Sequence, residues 1–298
     1  MPSIETIKVD HLIGAEVGTS TLVKELARGG MAIVFIAFQR TLKRQIAVKI
    51  LPKSFLTPKS AKLFQQEAES AAILSHQNII QIYEVGETEE FLFFTMQLIQ
   101  GNPLSKIMHM AKKNVIPSKR TLPLQTTIEI YIQVLDALDY AHNQEIVHRD
   151  MKPGNVMIEK HNQRPIITDF GVARLLRGEE SGKPMIQGTP LYMAPEQILG
   201  QELDGRADIY AMGTMLFEMI VTQLPIPKFK SKVDMLKAKV LNENGMFLKK
   251  PSELRTELNK DMDLIVQKAL AKDLNQRYAT CRDFIKDLEQ YQDNYLTQ

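Results

Sequence analysis

The sequence predicts an α+β fold in two lobes: a small antiparallel β lobe with one main helix over residues 22–98, then a larger, mainly helical lobe over 99–298. Three observations predict it. Strand-like runs rich in β-branched and apolar residues crowd the first hundred positions. One helical stretch interrupts them at 59–75. After Gly101 the helical period dominates. A chain of 298 residues can bury a large core. Its 44% hydrophobic and 24% charged residues are ordinary for a globular protein.

Residues 1–21 carry no clear period and are expected to form a loose extension or an added strand. The strand runs begin with Leu22-Val23-Lys24-Glu25-Leu26 and continue through 33–38 and 46–51. In the third run, alternation puts Ile46, Val48 and Ile50 on one face and Ala47 with Lys49 on the other. A small residue beside a lysine suits a flat ligand with a charged tail. The helix over 59–75 carries a stripe of Phe64, Ala68, Ala71 and Ala72, flanked by Glu67. Two more strands are expected near 79–86 and 91–98, giving five.

In the second lobe, Tyr131, Val134, Leu135, Leu138 and Ala141 mark a helix over 126–143. Further helices are expected at 207–222, 261–270 and 280–291, and short strands near 146–147, 156–158 and 166–168. The polar, basic segment 111–123 reads as a surface insertion. A formal charge of +2 gives no general case for nucleic-acid binding. The one cysteine, Cys281, excludes an intramolecular disulfide and reads as an inert structural thiol. No apolar run approaches the ~20 residues that span a bilayer, and residues 1–5 lack the texture of a signal peptide, so the chain reads as cytoplasmic.

The chemistry concentrates in His148-Arg149-Asp150-Met151-Lys152-Pro153-Gly154-Asn155, followed by Asp169-Phe170-Gly171. A carboxylate such as Asp150 can orient a hydroxyl and accept its proton. Lys152 can neutralise a phosphate in the transition state. Asn155 and Asp169 offer the hard oxygens that Mg²⁺ prefers. Read singly, Asp150 is a turn carboxylate, Asp-Phe-Gly a strand-ending turn and Lys49 a solvated strand charge.

Together, and at these spacings, the two runs resemble those of the eukaryotic-type (Hanks-type) protein kinases, with the bacterial Ser/Thr kinases as the nearest likeness. Ile46-Ala47-Val48-Lys49 resembles the strand signature of the same family, and the likeness extends from about 22 to 292. The resemblance implies a bilobal kinase-like fold and a single kinase domain. It also implies ATP with Mg²⁺ (Mn²⁺ as an alternative) and transfer of the γ-phosphoryl group to Ser or Thr of proteins. Asp150 is then the catalytic base and Lys152 marks Ser/Thr specificity. Asn155 and Asp169 hold metal. Lys49, paired with Glu67, positions the α- and β-phosphates, with Glu69 as the competitor for that pairing.

The phosphate loop departs from the family pattern. Its segment is Ala27-Arg28-Gly29-Gly30-Met31-Ala32, where Ala27 and Ala32 stand in place of the first and third glycines. Alanine resists positive φ, so a stiffer loop and weaker nucleotide binding are expected. By the same likeness Val34 and Ala47 roof the adenine, Met157 floors it, and Met96 guards it. Backbone groups of Gln97 and Ile99 bond the base. Gly188-Thr189-Pro190-Leu191-Tyr192-Met193-Ala194-Pro195-Glu196 resembles the segment that docks a protein substrate. Arg277 matches the partner of Glu196, and Asp208 the brace of the catalytic loop. Ser181, or a standing charge on Glu179 or Glu180, is expected to meet Arg149. A pseudokinase scaffold is the alternative that the altered phosphate loop motivates. A small-molecule phosphotransferase is disfavoured by the docking segment. The resemblance leaves room for a homodimer.

Overall fold

The structure is a computed structural model that describes residues 10–28, 32–53, 65, 68–69, 72–170, 190–242 and 246–296. The described residues divide into two compact units, one built by residues up to Gln100 and the other by residues from Gly101 onward.

The first unit is one antiparallel sheet. Its strands are β1 (Glu16–Val17), β2 (Ser20–Arg28), β3 (Ile33–Gln39), β4 (Arg44–Pro52), β5 (Ile82–Glu87) and β6 (Phe91–Met96). They lie in the order β1-β2-β3-β4-β6-β5. The sequence leads to five; the sixth is β1, in the stretch where an added strand was one of two expectations. It turns into β2 through Gly18, at φ 55°, where a Cβ would strike the Glu84 carboxylate. The pairs Phe35↔Val48 and Ala37↔Ile46 set the register. That register sends Ile46, Val48 and Ile50 into a core with Val17, Leu22, Phe35 and Phe93. Each such large side chain stabilises the fold by about 1.5–3 kcal/mol relative to exposure.

Of the stretch 59–75, the described residues Gln65, Ala68, Glu69 and Ala72 are helical, with Ala68 buried and Glu69 exposed. Glu67 lies outside the described residues.

The second unit combines a small sheet with seven α-helices among its described residues. The strands β7 (Gly101–Pro103), β8 (Val156–Glu159) and β9 (Pro165–Ile167) pair antiparallel in that order. Gly101 is required: a Cβ there would sit 2.1 Å from the Ile158 carbonyl oxygen. The helices are α1 (Leu104–Lys112), α2 (Leu124–His142), α3 (Pro195–Ile198), α4 (Arg206–Ile220), α5 (Lys232–Leu241), α6 (Lys260–Ala269) and α7 (Cys281–Tyr295). Three of them, α5, α6 and α7, start on a side-chain cap. Ser231 accepts from Asp234 N–H, Asn259 from Asp261 and Met262 N–H, and Thr280 from Asp283 N–H.

Helix α4 is the unit's central element. Only Arg206 and Glu218 of its fifteen residues escape burial, the pattern of a helix apolar on all sides. The strand expected at 146–147 is absent: those residues run irregularly into the polar loop, whose backbone is bonded by side chains instead. No described helix is long and apolar enough to cross a membrane.

Candidate active site

Residues 143–155 connect α2 to β8 with almost no regular structure, so side chains must satisfy their backbone. Asp208, in the first turn of α4 and wholly buried, takes two of that backbone's N–H groups. Its Oδ2 accepts from His148 N–H at 2.8 Å and bonds His142 Nε2 at 2.8 Å. Its Oδ1 accepts from Arg149 N–H at 2.7 Å. Burial alone would raise the carboxyl's pKa. The His142 bond and the fields of His142 and His148 outweigh burial and hold it below the usual range.

His148 fixes the next step. Its Nε2 donates to Thr168 O at 2.9 Å, its Nδ1 accepts from Asp150 N–H at 3.2 Å, and its ring lies 4.7 Å from that of Phe170. One imidazole thus ties the residues before Asp150 to those before Asp169. Arg149 and Asp169 both hold left-handed backbone, at φ 67° and 61°, a conformation that non-glycine residues adopt at a cost.

Asp150, Lys152 and Asn155 converge. Lys152 Nζ donates to Asp150 Oδ2 at 2.5 Å. Asn155 Nδ2 donates to Asp150 O at 2.8 Å and to Asp150 Oδ2 at 3.2 Å. This commits the amide nitrogen to Asp150. Asn155 O accepts from Thr168 N–H at 2.8 Å, which sets Asp169 next along the chain.

Behind this loop, Glu196 and Arg277 form a buried bidentate pair at 2.7 and 3.2 Å. The segment before it is pinned residue by residue. Tyr192 OH donates to Glu218 Oε2 at 2.5 Å, and Lys112 holds the other Glu218 oxygen at 2.9 Å. Gln197 Oε1 accepts from Ala194 N–H at 2.9 Å while its Nε2 donates to Arg149 O at 2.9 Å.

The family description "Protein kinase domain" matches residues 20–288. The chain belongs to the protein kinase domain family. It is 35% identical over 274 residues to a probable serine/threonine-protein kinase of Streptomyces coelicolor, covering 89% of this chain and 38% of that one. It is 31% identical over 296 residues to MasK of Myxococcus xanthus, named a tyrosine-protein kinase, covering 94% of this chain and 44% of that one. The PknI kinase domain of Mycobacterium tuberculosis superposes with a TM-score of 0.74 at 25% identity, over 93% of this chain and 97% of that one. The chain therefore spans about two-fifths of the length of these curated relatives.

In the first unit of this kinase domain, the residues expected at the nucleotide base share a sheet face. Directly opposed residues point the same way, and the pairs Val34↔Lys49, Ala47↔Met96 and Lys49↔Phe94 put Val34, Ala47, Lys49 and Met96 together. The Lys49 ammonium sits 5.6 Å over the Phe94 ring. Gln97 N–H is committed to Gln81 O at 2.9 Å. Ile99 follows in irregular, half-buried chain. Ala27 pairs with Val34, and Arg28 is held by Glu25 through Nε at 2.9 Å and Nη2 at 2.7 Å. Gly29, Gly30 and residues 171–189, Ser181, Glu179, Glu180 and Thr189 among them, lie outside the described residues. In the second unit, Met157 sits half-buried on β8.

The oxygens of Asn155 and Asp169 fit a hard divalent cation. Among the described residues no group of three or more His, Cys, Asp or Glu forms an all-protein metal cage. Two protein ligands match Mg²⁺, which keeps water and shares phosphate oxygens.

Sequence reasoning missed Gln197, Glu218, His142 and Lys239. Gln197 stands three residues after Ala194, the cap of α3, where a Gln bonding back to the cap N–H is a readable signal. Cys281 Sγ lies 3.7 Å from His142 Nδ1, in line with Asp208. The thiol is fully buried and its pKa is raised by that burial and by the Asp208 and Asp139 charges, so this is a structural relay and not a nucleophile.

Proposed function

We propose that this kinase domain transfers the γ-phosphoryl group of ATP to Ser or Thr hydroxyls of proteins. The observation that carries the reading is the Asp150 carboxylate, held by Lys152 and Asn155 on a loop whose backbone is fixed by Asp208. Asp150 accepts the proton of the acceptor hydroxyl as its oxygen bonds the γ-phosphorus, and the bond from that phosphorus to the β-phosphate oxygen breaks in line. Lys152 neutralises charge gathering on the transferring group. Mg²⁺, held by Asn155 and Asp169, would supply charge neutralisation of the phosphates, with Mn²⁺ as its substitute. Val34, Ala47, Met96, the Gln97 carbonyl and Met157 would frame the adenine, while Ala27 to Gly30 and Lys49 serve the phosphates. Lys49 would be held by Glu67. The segment 188–196 would dock the acceptor, residues 22–292 would form the domain, and its site of action would be the ATP-rich cytoplasm.

Transfer of labelled phosphate to a mixed protein acceptor tests this. Asp150→Asn should lower the rate at least about 100-fold, the scale of a lost general base. Equal incorporation by both proteins refutes catalysis at Asp150 and favours the scaffold reading. Phosphoamino-acid analysis of the product should show phosphoserine or phosphothreonine. Phosphotyrosine as the main product would move the assignment toward the activity for which MasK is named.

A further inference from the structure

Helix α5 carries a cation that the reaction scheme leaves without a task. Lys239 is fully buried (0% exposed). Its Nζ donates to Met193 O at 2.8 Å and to Leu191 O, and it lies 4.9 Å over the Tyr210 ring. Among the described residues it has no ion pair. The carboxylate whose field it feels, Glu196, is taken by Arg277. Burying an ammonium without a carboxylate is expensive. Burial pushes its pKa down to about 7, with Glu196 opposing the shift.

A lysine on an exposed turn of α5 would avoid that cost, so the position must gain something else. The gain is geometric. Residues 190–194 form neither helix nor strand, and their carbonyls need donors from elsewhere. Lys239 reaches two of them. Tyr192 and Ala194, the alternate residues, are held by Glu218 and Gln197. Every residue from Leu191 to Ala194 is thus tied to an element behind it.

We propose that Lys239 is a positioning residue for the protein acceptor: its bonds to the Leu191 and Met193 carbonyls set the shape of the segment on which the acceptor docks. This rests on the reading of 188–196 as the docking segment. Lys239 acts on acceptor binding, not on ATP or the phosphoryl step. Its neighbours do not confuse a pH test. Glu196 of α3 and Arg277 face it as a closed pair, and Tyr210 of α4 has its pKa raised, chiefly by burial. Below about pH 7 the ammonium gives charge-assisted bonds; above it the neutral amine donates more weakly.

The test is steady-state kinetics of the whole chain with a peptide acceptor, beside acceptor-free ATP hydrolysis. Lys239→Met keeps the buried stem and removes the donors. The KM for peptide should rise about tenfold, while the KM for ATP and the hydrolysis rate stay within about twofold. In the unsubstituted protein the peptide KM should climb between about pH 6 and about pH 8, and Lys239→Met should lack that limb. An unchanged peptide KM in an active variant overturns the inference alone, as does an equal loss in peptide KM, ATP KM and hydrolysis. If Lys239→Met does not fold, a flat peptide KM across that pH range in the unsubstituted protein overturns it. An unsubstituted protein that hydrolyses ATP but phosphorylates no peptide or protein refutes the kinase reading and this inference with it.

Discussion

Replacing Asp208 by Asn should cost about 3–5 kcal/mol, and the sum follows from its three bonds. As a carboxylate it accepts from His142, His148 and Arg149. An asparagine has one acceptor oxygen. If that oxygen takes the Oδ2 place, two bonds survive but fall from charge-assisted to neutral, a loss of about 1 kcal/mol each. The amide NH₂ then faces Arg149 N–H, donor against donor, and leaves it unsatisfied at about 1–3 kcal/mol. Hydrogen exchange at the His148 and Arg149 amides reads the local effect and urea unfolding the global one. Both amides should exchange at least about 100-fold faster in the variant. The sign with pH follows from the lowered pKa. The carboxylate's contribution is fully present above the ordinary Asp range and is lost only as pH falls through the lowered folded value. The gap between the two proteins should therefore persist at about pH 5. A loss under about 1 kcal/mol with unchanged amide exchange would show that the loop holds its shape without this brace.

Two further outcomes are expected. Glu196→Gln leaves the Arg277 guanidinium buried beside a neutral partner and should lower unfolding stability by about 3–5 kcal/mol; a double variant Glu196→Leu, Arg277→Met that loses less than the single would show that the unpaired charge is the cause. Ala27→Gly with Ala32→Gly should tighten ATP binding by freeing the phosphate loop, measured by calorimetry, and an unchanged dissociation constant would remove the loop's stiffness from the account.

Much of this architecture is legible in the primary sequence because the chemistry is local. Asp150, Lys152 and Asn155 meet within five residues, and alternation in 46–50 separates Lys49 from the core without any tertiary information. Other parts are not. Gly101-Asn102-Pro103 opens the stretch expected to be mainly helical and is instead a strand, paired with β8. Helix α5 hides for a chemical reason. Its inward face carries Leu236 and, one turn later, Lys239, so a charged residue occupies the position an apolar stripe would mark. The helix α1 and the bonds of His142 to Asp208, 66 residues apart, likewise have no local trace.

The buried polar residues around the site share a mode of action. Asp208 bonds the amides of 148 and 149, His148 the carbonyl of 168, and Gln197 the carbonyl of 149 and the amide of 194. Lys239 bonds the carbonyls of 191 and 193, and Arg277 that of 271. In each case a buried polar side chain replaces the bonds that a helix or strand would have supplied. A site built on irregular backbone must satisfy that backbone from outside, or lose about 1–3 kcal/mol per orphaned group. Such side chains recognise main-chain atoms, and any sequence presents those. The partner's identity therefore leaves no local mark in the sequence: family resemblance assigns Asp208 to its loop, and for Gln197 and Lys239 only the fold says which loop each one holds. The same logic predicts where damage goes. On the proposed reading, removing Asp150 would take away the proton acceptor and leave the Asp208 brace standing, whereas removing Asp208 would leave the proposed reacting groups in the chain and take away the backbone geometry that brings them together.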